Sequence, residues 1–326
     1  MAGEAQGDAA VSELAAPVAA MLQRMRANLS APIDAARIVS FRPIYSASQK
    51  DRMIAPGVTA SDIDIDGVTV RLYRPQSDAP RPLHLYCHGG GFVIGSALSG
   101  EMDGLLSRRA AAARCVVASV EYALAPEHPF PAGVEDCYRA LAGLAARAQE
   151  LGLAARAISV GGASSGGNFA AVLALMAKDR GGPKIMLQLL EIAGVDLTKT
   201  SHAWRHPLPE HDTTRERDLA MLDLYIAKKD RAALYASPLF APDLEGLPPA
   251  YVMNAQFDPR RDECEAYVAR LNDAGVDAVA RSMEGHIHGS FLLAGWEPAG
   301  RWQSEANAVL GAANRAAQAG ETVVLS

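Results

Sequence analysis

His88-Gly89-Gly90-Gly91 and, about seventy residues later, Gly162-Ala163-Ser164-Ser165-Gly166 decide how this chain reads. The second stretch follows an apolar run at 157–161 and opens a helical pattern at 165–178. A serine between small residues at such a strand-to-helix junction can sit on a tight, strained turn with its hydroxyl exposed. The helix that starts there adds partial positive charge where an anion would form. Ser164 has glycine two residues away on both sides. Shifting the frame by one makes Ser165 the rival, flanked by Ala163 and Gly167. The first stretch follows an apolar run at 83–87. Its glycines leave backbone N–H groups unobstructed, so two of them, together with the N–H of Ser165, could hold an oxyanion.

Outward from these stretches the chain alternates between strand and helix patterns. Ile63, Ile65, Val68, Val70 and Leu72 alternate around Asp66-Gly67, a hairpin signal. Helices are expected at 101–113, 132–151, 261–274 and near 302–318, and strands at 115–121, 184–193, 250–255 and 277–283. The helix at 132 is entered through Pro126, Pro129 and Pro131. This alternation predicts an α/β fold: a mostly parallel sheet with helices on both faces. Residues 196–240 interrupt it with a polar, histidine-bearing segment (Trp204, His206, Pro207, Pro209, His211) and a helix near 218–227. Val11, Leu14, Val18, Met21, Leu22, Met25 and Leu29 recur at helical spacing, with Pro17 marking a kink or a start. The domain reading is a disordered 1–10, N-terminal cap helices over 11–55, and a catalytic domain over 56–326 carrying a cap insertion at about 196–240.

A serine hydroxyl needs a base. His288, in Gly285-His286-Ile287-His288-Gly289 after the last strand, stands where such a fold delivers one; His286 is the alternative. Asp258, directly after the 250–255 strand, suits the acid, with Asp262 as competitor. Asp262 falls in the first turn of the next helix, where acids are favoured anyway. The order Ser164, Asp258, His288 is that of α/β-hydrolases.

Composition narrows the class. The chain has 326 residues, 49% hydrophobic, with 31 Lys+Arg against 37 Asp+Glu and a net charge of −6. No basic stripe offers itself to phosphates, which argues against a nucleic-acid partner. The N-terminus lacks a basic-then-apolar leader pattern, and no stretch of about 18 apolar residues suggests a membrane span. Cys87, Cys115, Cys137 and Cys264 are scattered without metal spacing and read as reduced thiols of a cytoplasmic protein.

Together these residues resemble the bacterial hormone-sensitive-lipase-like family of α/β-hydrolases. The resemblance is carried by His88-Gly89-Gly90-Gly91-Phe92, by Tyr122-Ala123-Leu124-Ala125-Pro126-Glu127-His128-Pro129-Phe130-Pro131-Ala132, and by Ser164-Ser165-Gly166-Gly167-Asn168. Ser237-Pro238-Leu239, Phe257-Asp258-Pro259-Arg260-Arg261-Asp262-Glu263 and Ile287-His288-Gly289 complete it. It implies carboxylic-ester hydrolysis without cofactor or metal, oxyanion donors on Gly90, Gly91 and Ser165, Ser164 over Ser165 as nucleophile, and a helical cap. Its members often form homodimers.

Three departures stand out. Ala163 replaces the acid that usually precedes the nucleophile, and Ser165 the alanine that follows it. The sixth strand reads into Glu191-Ile192-Ala193-Gly194-Val195-Asp196 where a Tyr-Pro pair before the Asp is usual, and Glu191 interrupts an otherwise apolar run. Ser290 stands where a phenylalanine is usual, with Phe291 one further on. Glu191 is expected to be a core acid with a partner rather than a pocket residue. The mechanism expected is an acyl-enzyme on Ser164 acting on a small ester or lactone. The altered elbow and sixth strand also motivate a lactone hydrolase, or an acyl transferase or cyclase, with the same triad. A binding protein on this scaffold is the remaining alternative.

Overall fold

The structure, a computed structural model, describes residues 14–27, 33–47, 53–77, 79–206 and 215–325. The expected disordered segment 1–10 lies outside these residues, as do Val11, Leu29, Pro207, Pro209 and His211. Two helices, α1 (Ala16–Ala27) and α2 (Ala35–Ala47), come first. Pro17 lies in the first turn of α1, where a missing N–H costs nothing, so it marks a start and not a kink. The β1 (Val58–Ile65) and β2 (Val68–Pro75) hairpin turns through Asp66 at φ 51° and Gly67 at φ 84°. Two positive φ values in succession are what a tight primed turn needs.

From there strands and helices alternate: β3 (Arg81–Cys87), α3 (Gly100–Ala113), β4 (Val116–Val120), α4 (Ala132–Ala146), β5 (Leu153–Ala163), α5 (Ser165–Asp179) and β6 (Leu187–Glu191). The interrupting segment contributes α6 (His202–Arg205) and α7 (Arg215–Tyr225). Then follow β7 (Ala250–Ala255), α8 (Arg261–Asp273), β8 (Ala278–Met283) and α9 (Glu297–Ala319). Two boundaries differ from expectation. The helix entered at Ala132 ends at Ala146 and passes through looser turns, and α9 starts five residues before Trp302 with a proline in its first turn.

The eight strands form one sheet in the order β1-β2-β4-β3-β5-β6-β7-β8. β1, β2 and β4 pair antiparallel in turn, and every pairing from β4 to β8 is parallel. Strands β4, β6 and β7 are buried along their whole length, as strands covered on both faces must be. One face packs against α4, α5 and α8 through residues such as Val134, Leu141, Phe169, Leu173 and Tyr267. The other packs against α3 and α9 through Leu106, Ala110, Trp302 and Leu310. β3, β5, β6 and β7 therefore end side by side, and the loops that follow them meet above one edge of the sheet.

Candidate active site

Ser164 follows the last residue of β5 and precedes the first of α5, with φ 57° and ψ −116°. That left-handed conformation costs a non-glycine residue about 1–3 kcal/mol, and surrounding contacts must hold it. They do: the Ser164 N–H donates to Glu191 O at 2.9 Å, and its carbonyl accepts from Asn168 N at 3.0 Å and Gly194 N at 3.3 Å. The turn presents Oγ to His288 Nε2 at 3.0 Å, and His288 Nδ1 meets Asp258 Oδ2 at 2.5 Å. A carboxylate only accepts, so Nδ1 carries the ring hydrogen and Nε2 is free to take the serine proton. Burial alone would push the Asp258 carboxyl up. The neighbouring His288 ring and Arg260 guanidinium outweigh it and hold the group well below the usual carboxylate range.

The rival residues stand elsewhere. Ser165 is buried at the start of α5, and among the described residues its Oγ has no hydrogen-bond partner. Its backbone N–H is one of the first of the helix and has no helical acceptor. His286 is packed against Trp296 and Trp302 at 4.5 and 5.1 Å between ring centroids and meets Ser290 Oγ at 2.8 Å. Burial pushes that ring down to about 4, so it stays neutral. Asp262 lies in the first turn of α8 and accepts from Ala203 N at 2.9 Å.

The glycine loop lies beside Ser164. Gly90 has φ 129°, and a Cβ there would come within 1.9 Å of Ile94 O, so no other residue fits. Gly90 O accepts from the N–H groups of Val93 and Ile94. Among the described residues, none accepts from the N–H of Gly90 or Gly91. The His88 ring stacks on Tyr122 with centroids 4.1 Å apart, and its Nδ1 meets Gly89 O at 2.8 Å. Tyr122 Oη donates to His88 O at 2.8 Å. Burial lowers the proton affinity of His88. It is a neutral brace for the loop, and its ring also borders the cavity beside Ser164.

Two clefts meet at Ser164. One, of about 120 Å³, is lined by Tyr86, Met102, Ala163, Ile192, Phe291 and Leu292, with Ser96, Ser99 and Glu101 around it. The other, of about 40 Å³, is lined by Gly91, Phe92, Leu197, Lys199, Asp218, Leu222 and Arg260. Glu191 lines neither. It is fully buried and takes Arg109 in two contacts, Nη1 to Oε2 at 2.7 Å and Nη2 to Oε1 at 3.0 Å, with Trp302 Nε1 on Oε1 at 2.9 Å. The core acid with a partner is the arrangement present. Arg260 and Asp218 escaped sequence reading, although Arg260 lies only two residues after Asp258.

Helix α1 packs Val18 and Leu22 on Ile287, next to His288. From α2, Arg42 donates to Val93 O at 2.7 Å, to Ala125 O, and to Glu127 at 2.7 Å. Both N-terminal helices thus rest on loops that shape the site. All four cysteines are free and buried. Among the described residues no helix is long and apolar enough to cross a membrane.

Residues 84–292 match the family described as alpha/beta hydrolase fold. Esterase LipI of Mycobacterium tuberculosis is 35% identical over 264 residues, 76% of this chain and 79% of that protein. Carboxylesterase NlhH of the same species is 36% identical over 239 residues, 70% of this chain and 73% of that protein. A hyperthermophilic esterase from the archaeon Pyrobaculum calidifontis superposes with a TM-score of 0.81 at 35% identity, covering 91% of this chain and 98% of its own. The chain belongs to the α/β-hydrolases, in their hormone-sensitive-lipase-like branch.

Proposed function

We infer that the protein is a serine hydrolase of carboxylic esters. The observation that carries this reading is the relay from Asp258 through His288 to Ser164, with contacts of 2.5 and 3.0 Å, on a strained turn beside a glycine loop. Ser164 Oγ attacks the ester carbonyl carbon while His288 Nε2 takes its proton. The carbonyl oxygen becomes an oxyanion held by the N–H groups of Gly90, Gly91 and Ser165; each such donor supplies about 2.7–4 kcal/mol of transition-state stabilisation. Asp258 fixes the tautomer and stabilises the imidazolium without taking its proton. His288 then protonates the leaving alcohol, and the acyl group stays on Ser164. A water molecule, deprotonated by His288, attacks that acyl carbon; the acid leaves and Ser164 regains its proton.

The apolar cleft of about 120 Å³ suits a small acyl or alcohol group. The proposal includes a cover over the site built from α1, α2 and the segment after β6, supported by the contacts of Val18, Arg42 and Met221 with the surrounding loops. A cytoplasmic location is part of the same reading, supported by the four free thiols. The test is covalent labelling by a fluorophosphonate. Labelling is expected in the wild type and in Ser165→Ala and lost in Ser164→Ala; labelling that survives Ser164→Ala overturns the assignment.

A further inference from the structure

The back of the relay is occupied by a second buried ion. Arg260 is 7% exposed. Its Nη1 lies 3.3 Å from Asp258 Oδ1 and 3.3 Å from His288 Nδ1, while its Nη2 donates to Asp218 Oδ2 of α7. Its guanidinium carbon lies 5.3 Å from the centre of the Trp204 ring. The backbone N–H of Arg260 also donates to Asp258 Oδ1, at 3.0 Å. One residue therefore holds one oxygen of the triad carboxylate while His288 takes the other.

We propose that Arg260 is a positioning residue of the triad, and that Asp218 ties the covering segment to the triad by sharing that guanidinium. The proposal rests on the ester-hydrolase reading above. Its physical basis is a competition for His288 Nδ1. In the working tautomer Nδ1–H and Nη1–H are both donors and form no bond with each other. A guanidinium free to donate to Nδ1 would favour the other tautomer, with hydrogen on Nε2, and that ring cannot take a proton from Ser164. Asp218 draws the guanidinium through Nη2 and offsets its charge. Two carboxylates and one guanidinium leave a single net negative charge, which the imidazolium formed during reaction neutralises.

Other charged groups around this cluster are accounted for. Arg217 lies 3.7 Å from Asp218 on α7. Lys199, from the loop after β6, sits over Trp204 and pairs with Glu263 of α8 at 3.3 Å. Burial pushes Glu263 up to about 7. On the α9 side stand the neutral His286 and, beyond it, Arg301. Helix α1 brings Val18, Met21 and Leu22 to the His288 loop.

The experiment is the pH dependence of kcat and kcat/KM on an activated short ester for the wild type, Asp218→Asn, Arg260→Met and the double variant. Asp218→Asn removes one of the guanidinium's two carboxylate partners and disfavours the imidazolium, so the acid limb moves to lower pH by about one unit. Arg260→Met removes the cation and leaves both carboxylates, so the limb moves to higher pH by about one unit. The double variant contains no unpaired charge of this pair and restores the limb, while kcat stays about tenfold down, with KM little changed, because Asp258 has lost a side-chain brace. Should either single variant fail to fold, the double variant carries the test through its kcat. Limbs that stay in place in the single variants, a limb that rises in Asp218→Asn, or a double variant with wild-type kcat overturns the proposal. A wild type without ester turnover counts instead against the ester-hydrolase reading.

Discussion

Two buried arginines flank the elbow, and the difference between them shows what a buried ion pair can be used for. Arg109 gives two contacts to one carboxylate, Glu191, which also accepts from Trp302; Gln303 takes a further contact at 3.0 Å. Burial works against its charge, and Glu191 more than offsets it, raising the arginine's proton affinity. This pair joins α3 to the end of β6 and touches neither cleft. Arg260 divides itself between Asp218 and Asp258 and lies against His288. A guanidinium with one dedicated carboxylate is a staple. One shared between α7 and the Asp258–His288 pair bears on the proposed reaction.

The largest expected effect breaks the staple. Arg109→Met leaves the Glu191 carboxylate buried without its partner, and removing one partner of such a pair costs about 3–5 kcal/mol. Chemical denaturation should show that loss, and should show most of it recovered when Glu191→Leu is added. The surviving activity should keep the wild-type acid limb. A limb that moves would erase the distinction between the two arginines.

A smaller effect is expected at the glycine loop, which borders both clefts. Gly95 has φ 100°, and a Cβ there would come within 2.4 Å of Gly89 O and 2.5 Å of His88 Nδ1. Gly95→Ala should push the His88 brace and the oxyanion donors out of place and lower kcat by about 100-fold, with thermal unfolding shifted much less than in Arg109→Met. An unchanged kcat would mean that His88 does not hold the loop. Smallest of all are the opposed shifts of about one pH unit expected at Asp218 and Arg260.

The turn at Ser164, the glycine loop and the places of Asp258 and His288 were legible because each follows an apolar strand. Asp66-Gly67 and Pro17 likewise announce a turn and a helix start by backbone chemistry alone. The partners of Glu191 and Arg260 were not legible. Arg109 lies 82 residues from Glu191, and Asp218 lies 42 residues from Arg260. Only the non-sequential strand order and the packing of α7 against Arg260 bring them together. His288 was favoured over His286 by its place in the loop, but what His286 does instead needed three dimensions: its ring turns toward Trp302 and Ser290, that of His288 toward Ser164. The early end of α4 has a local counterpart in the Arg147–Glu150 pair of the following turn, a contact that helical periodicity does not report.

The most direct test of the account is a rapid-quench experiment on an activated ester. It follows release of the alcohol before steady state and maps the retained acyl group by peptide mass spectrometry. A burst of alcohol matching the enzyme concentration, with the acyl group on the peptide at Ser164, is the predicted result. Ester turnover with no acyl group retained, or with the group on Ser165, would contradict it.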